Sequence, residues 1–177
     1  MNDRLSLLTI KCANKIYVLI NVHAPTNEKN KGNKTDQGKV EKFWDTLDEK
    51  LAQIPKHYVK IFMGDLNAQL GREQTHRKII GNYPAHKRTN HNGKRFVSLC
   101  KNHNLQIMST HFRHLPRKQK TWRSPIHTIG EFQIDHVAIS RKDSPDIMNV
   151  KVKKSINVGS DHYMSISKFN PIPANIK

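Results

Sequence analysis

The sequence predicts a mixed α/β sandwich, and three observations carry that prediction. Short apolar runs of strand length recur along the chain, two segments repeat with helical spacing, and polar residues cluster beside several of the runs. Strands that alternate with two helices while also pairing as hairpins exclude a purely parallel doubly wound sheet. Polar residues at strand ends then gather along one edge of the sheet, where sites form.

The elements follow in order. Arg4 to Lys11 and Ile16 to Val22 are rich in leucine, isoleucine and valine and flank Cys12-Ala13-Asn14-Lys15, which predicts a hairpin. The second strand is apolar on both faces, as a central strand must be. Pro25 stops it, and residues 27–38 are polar and rich in lysine and asparagine, the composition of a loop. From Lys39 the period becomes helical: Val40, Phe43, Trp44, Leu47 and Leu51 form one stripe, and Pro55 ends it. Tyr58 to Met63 reads as a buried strand, whereas 68–92 has little periodicity. Asn92 is the expected cap of a second helix over 93–103, with Phe96, Leu99 and Cys100 inward and Asn104 at its end. Further strands are expected near 105–108, 121–123, 132–139, 148–153 and 163–168. One domain over 1–170 is expected, with a tail at 171–177 and no internal repeat.

Charge narrows the function classes. Lysine and arginine number 31 against 14 acids, a formal charge of +17. Such a charge repels itself in a compact state, and a polyanionic partner relieves it, so nucleic acid is the expected partner. A solvated lysine-rich surface is the competing reading. Cys12 and Cys100 are the only cysteines, both in apolar segments, and are expected as buried free thiols in a reducing compartment. The N-terminus lacks a signal-peptide core, and no apolar run approaches the roughly 20 residues that span a bilayer. The expectation is a soluble intracellular protein without a membrane partner, nuclear if it acts on DNA.

The scarce acids mark the chemistry. Asp65 and Asn67 sit two apart in Gly64-Asp65-Leu66-Asn67, directly after the strand at 58–63. A carboxylate there orients or deprotonates a water, and the amide hydrogen-bonds a phosphate oxygen. An ordinary turn is the competing reading, since all three polar types favour turns. Asp161-His162 pairs a hard oxygen ligand suited to magnesium with an imidazole suited to a phosphate contact. Asp135 then holds an imidazole in one orientation. Arg113, Arg117, Lys118, Lys120 and Arg123 surround Trp122, the pattern of a phosphate-tracking loop, with base stacking and core packing both open for the indole. His111, His114 and His127 raise zinc, but they lack cysteine partners and regular ligand spacing.

Five blocks in sequence, Asn21-Val22-His23-Ala24-Pro25-Thr26, Gly64-Asp65-Leu66-Asn67-Ala68, Thr121-Trp122, Ile134-Asp135-His136 and Gly159-Ser160-Asp161-His162, resemble the endonuclease/exonuclease/phosphatase family. The likeness is strongest to the apurinic-type endonuclease domain of non-LTR retrotransposons. It implies a four-layer, DNase I-like α/β sandwich and metal-dependent hydrolysis of a phosphodiester, nicking DNA to leave a 3′-hydroxyl. Magnesium or manganese would be the cofactor, and a reverse transcriptase a plausible neighbour in the parent element. Residue by residue, the resemblance implies that Asp65 orients the attacking water and Asn67 contacts the scissile phosphate. It implies that Asp161 joins the metal site and that His162 bonds the phosphate while Asp135 holds it. Asn21, Thr121 and Trp122 join the basic residues as the expected nucleic-acid-binding set.

The chain also departs from that pattern. The family's early asparagine motif and the glutamate that serves as a principal metal ligand are absent before Asn21, so an N-terminally truncated domain is expected. His23 stands where the family carries a tyrosine that touches the phosphate. With fewer ligands magnesium binds weakly, and missing strands leave a sheet edge and an apolar face open. Activity is therefore expected to be weakened or lost. The alternative is a non-catalytic nucleic-acid-binding relic, and a third reading, a small-substrate phosphatase, is disfavoured by the charge.

Overall fold

The computed structural model describes residues 3–12, 15–26, 34–126, 128–156 and 159–170. Strands β1 (Leu5–Cys12) and β2 (Lys15–His23) pair antiparallel, with Cys12 opposite Lys15. Helix α1 (Lys34–Ala52) leads to β3 (Val59–Asp65), and α2 (His91–Asn102) to the short β4 (Leu105–Ile107). Then come β5 (Trp122–Arg123), β6 (Glu131–Phe132), β7 (Asp135–Ser140), β8 (Ile147–Lys153) and β9 (Met164–Phe169). A five-stranded sheet runs β1-β2-β3-β7-β4, while β5–β6 and β8–β9 form separate two-stranded pairs. Among the described strands of the main sheet only β2 and β3 are parallel neighbours, and α1 supplies their crossover.

Alternation along the strands builds two cores. Val18, Ile20 and Val22 of β2 and Phe62 of β3 face α1 and α2, where Trp44, Leu47, Leu51 and Phe96 are buried. Burying each of these large side chains contributes roughly 1.5–3 kcal/mol. Tyr17, Ile61, Val137 and Ile139 point the other way, towards Ile147 and Val150 of β8. On that second face lies an apolar groove of about 720 Å³, lined by Ile10, Cys12, Tyr17, Leu19 and Met63 and ending at Asn21, Gly64 and Asp135. The edge strand β1 exposes Leu7, Leu8 and Ile10.

Several expectations need correction. Helix α1 starts at Lys34 rather than Lys39, because its first turn carries no apolar period to read. The cap of α2 is Asn90, whose Oδ1 accepts from Gly93 N at 2.7 Å. Asn92 lies inside the helix, where its amide accepts from the Trp44 indole at 2.9 Å and donates to the Pro25 carbonyl at 2.8 Å. The expected strand over 132–139 is two strands broken at Gln133-Ile134, since β6 pairs with β5 and β7 joins the main sheet. Cys12 is exposed, as the last residue of an edge strand, while Cys100 is buried. The tail at 171–177 and His127 lie outside the described residues.

Candidate active site

Sheet register assembles the site. His23 pairs with Asp65 across the parallel β2–β3 ladder, and Asp65 pairs with Asp135 across the antiparallel β3–β7 ladder. Three polar residues from distant sequence blocks therefore stand in one row on adjacent strands. Close passage of β3 depends on Gly64, whose φ is +128° and where a Cβ would lie 2.1 Å from the Val22 carbonyl oxygen.

The fourth member comes from the segment before β9. His162 Nδ1 lies 3.1 Å from Asp135 Oδ2 and 3.3 Å from Oδ1, so the ring donates there and turns Nε2 towards Asp65 Oδ2, 3.9 Å away. His23 Nε2 approaches the same Asp65 oxygen to 3.7 Å. The hydrogen bond to Asp135 and the surrounding carboxylates raise the His162 pKa above the ordinary imidazole value, against a smaller opposing effect of burial. Burial raises that of Asp65, aided by the nearby Asp135 charge and opposed by the Asn67 N–H. Asp65 is thereby made a stronger base and His162 a more persistent cation, a division of labour suited to acid–base work.

Asn67 secures the turn. Its φ of 48° is a left-handed conformation that asparagine tolerates. Its backbone N–H donates to Asp65 Oδ1 at 2.9 Å, and its side-chain amide donates to the Ala24 carbonyl at 2.9 Å and to Asp65 Oδ2 at 3.3 Å. The amide thus ties Asp65 to Ala24, the residue just after β2, instead of pointing a free donor outwards. Sequence reasoning missed Asn90, whose Nδ2 donates to Asn67 O at 2.9 Å while its Oδ1 accepts from Gln69 N at 3.0 Å. The helix cap and the Asp65 loop are one structure. His136 is structural: buried between Ser109 Oγ and the Ala68 carbonyl, each 2.8 Å away, it is held neutral with a pKa lowered by burial to about 4.

The Thr121-Trp122-Arg123 segment packs beside these groups. Thr121 is 1% exposed, and its hydroxyl accepts from Ile134 N at 3.0 Å and Asp135 N at 3.1 Å. That hydroxyl faces the interior and serves as the acceptor that the start of β7 needs. The Trp122 indole N–H donates to Asp161 Oδ2 at 2.6 Å and is the main cause of an Asp161 pKa below the usual carboxylate value. Arg113, Arg117, Lys118 and Arg123 are exposed, whereas Lys120 is half-buried and reaches the Ala85 carbonyl at 3.4 Å. Asn21 is exposed at the end of the apolar groove. Among the described residues no three histidine, cysteine, aspartate or glutamate side chains converge as a metal-holding group. No helix among them is long and apolar enough to cross a membrane.

The fold compares directly with solved structures. The endonuclease domain of TRAS1, a telomere-specific non-LTR retrotransposon, superposes with a TM-score of 0.62 at 14% identity, covering 94% of this chain and 63% of that one. A 3′ phosphatase, NExo from Neisseria bound to product DNA hairpin, gives 0.63 at 17% identity over 94% and 65%. The 3′-5′ exonuclease NExo from Neisseria meningitidis gives 0.62 at 16% over 94% and 65%. The chain has the DNase I-like fold of endonuclease/exonuclease/phosphatase proteins. In this DNase I-like sandwich the described residues supply a helix layer, the central sheet and two strand pairs beside it. Sequence likeness extends to craniofacial development protein 2 of Tragulus javanicus, 29% identical over 168 residues, 95% of this chain and 28% of that protein. The Bos taurus protein of the same name is 29% identical over 170 residues, covering 95% and 27%. The chain thus spans under a third of those relatives and just under two thirds of the solved chains. No family model matches it.

Proposed function

We propose that this chain carries the phosphodiester-cleaving edge of a DNA endonuclease of the retrotransposon type, with turnover weak in the chain by itself. The observation that carries the reading is the convergence of Asp65, Asp135 and His162, with His162 Nδ1 3.1 Å from Asp135 and Nε2 3.9 Å from Asp65. The neighbouring solved structures, a retrotransposon endonuclease domain and a DNA 3′ phosphatase, support that chemistry. The +17 charge and the exposed Arg113, Arg117, Lys118 and Arg123 support DNA as the substrate.

Asp65, with its raised pKa, accepts a proton from the attacking water. Protonated His162 donates from Nε2 to a phosphate oxygen, and Asp135 holds the imidazole and offsets its charge. His23 adds a second exposed donor beside Asp65. Magnesium commonly binds through one or two carboxylates plus substrate phosphates, and the donor set fits that loose arrangement, with Asp161 as the protein ligand, but not a closed protein cage. When bound, the ion would neutralise charge on the phosphate. Dependence on a single well-placed carboxylate is why we expect weak turnover.

The same scarcity of ligands favours one second reading, a nucleic-acid-binding relic without turnover. Supercoiled plasmid incubated with the chain in magnesium separates the two. Nicking that is abolished by EDTA and by the double variant Asp161→Ala, His162→Ala supports the enzyme. Salt-sensitive binding without nicking supports the relic, and in that case neutralising Arg113, Arg117 and Lys118 flattens the salt slope by up to about 3.

A further inference from the structure

Trp122 was open to two roles, base stacking and core packing, and its contacts point to a third. Its indole N–H donates to Asp161 Oδ2 at 2.6 Å. The backbone on both sides is fastened to the same segment: Arg123 N donates to Asp161 O at 3.0 Å, Tyr163 N donates to Thr121 O at 2.7 Å, and Trp122 bridges to His162. The ring meanwhile packs against Phe132 of β6, with centroids 6.0 Å apart at 37°. One side chain thus joins the β5–β6 pair to the Ser160-Asp161-His162 segment. Asp161 is exposed, and beyond the indole its carboxylate meets its own backbone N–H and, at 3.4 Å, the Ser160 hydroxyl. An exposed carboxylate held only by contacts within its own short segment samples several rotamers, and ordering it costs entropy when it binds a ligand. The indole settles that rotamer in advance through Oδ2, and Oδ1 carries only the longer Ser160 contact, which an incoming group can displace.

We propose that Trp122 is a positioning residue, whose indole N–H fixes the Asp161 carboxylate in the orientation that a phosphate-shared divalent cation requires. The inference rests on the proposed metal-assisted reading of the site. It places the tryptophan behind the ligand instead of against a base. Residues that orient metal ligands through a hydrogen bond typically change metal affinity 10- to 100-fold when removed.

The test compares the wild type with Trp122→Phe, which keeps an aromatic ring beside Phe132 and removes the N–H donor with part of the indole. Manganese affinity is measured by electron paramagnetic resonance in the presence of a short DNA duplex, and DNA affinity is measured separately in EDTA. The expected result is a manganese Kd raised about tenfold or more, with DNA affinity in EDTA unchanged. A Kd within about twofold of the wild type overturns the proposal and leaves the metal-assisted reading standing. A wild type that binds no manganese overturns both, so the two failures are distinguishable. Should Trp122→Phe fail to fold, the indole N–H resonance of the wild type decides, with Trp44 as the internal reference. Asp161→Asn is expected to shift the Trp122 indole signal alone, and no shift overturns the proposal.

Discussion

Replacing Thr121 with valine removes one hydroxyl that the start of β7 depends on. The oxygen accepts from Ile134 N at 3.0 Å and from Asp135 N at 3.1 Å, inside a residue that is 1% exposed. Valine has nearly the same shape, so the change opens no large cavity while removing the acceptor. A buried N–H left without a partner costs about 1–3 kcal/mol. The Ile134 bond is buried and the Asp135 bond partly so, which puts the loss at about 2–4 kcal/mol. In a chain of this size each kcal/mol lowers the melting temperature by roughly 2–4 °C, so Thr121→Val is expected to melt roughly 4–16 °C lower by calorimetry. The same change frees the Asp135 backbone and loosens its grip on His162, which imidazole resonances report. A variant that melts within about 2 °C of the wild type would refute the assignment of this hydroxyl as the anchor of β7.

Other outcomes follow from the site's electrostatics and from the open edge. Asp135→Asn removes the main cause of the raised His162 pKa. A pKa raised on folding contributes stability that is complete below the unfolded imidazole value and disappears as pH rises through the folded one. The variant is therefore expected to be less stable than the wild type at acidic pH, with the gap closing as pH rises beyond about 6.5, in urea titrations across that range. Asp65 has the opposite consequence, because its raised carboxyl pKa means that the folded chain disfavours its charge at neutral pH. Asp65→Asn is expected to melt higher than the wild type at pH 7 while losing any nicking, and a lower melting temperature contradicts the burial argument. Leu8→Lys with Ile10→Lys on the exposed edge strand is expected to reduce concentration-dependent association in light scattering without changing the melt of the core.

The strands and helices were legible where burial imposes a period. The stripe Val40, Phe43, Trp44, Leu47 and Leu51 announces α1, and the apolar run before Gly64 announces β3. The first turn of α1 carries no such stripe, and its start was missed. The cap of α2 was misplaced by two residues because Asn90 and Asn92 are equally good caps in isolation. Trp44 and Pro25 draw the Asn92 amide inwards, a choice made by packing from 48 and 67 residues away. Asp65, Asp135 and His162 were legible as motifs, but their row was not, since strand order and register are tertiary facts. Thr121 and Trp122 were seen as parts of a DNA surface. Their hydrogen-bond partners, the Asp135 backbone and Asp161, are 14 and 39 residues away, and no local pattern links them.

In the proposed function His162, held by Asp135 beside Asp65, meets the phosphodiester. A selectively labelled histidine spectrum, recorded while a short DNA duplex is titrated in at low salt, tests it without requiring turnover. His162 is expected to shift to saturation with DNA, and Asp135→Asn to weaken that response. His103, paired with Asp48 on the helix layer, is expected to stay still. A His162 signal unmoved at saturating DNA, with the chain demonstrably bound, contradicts the account.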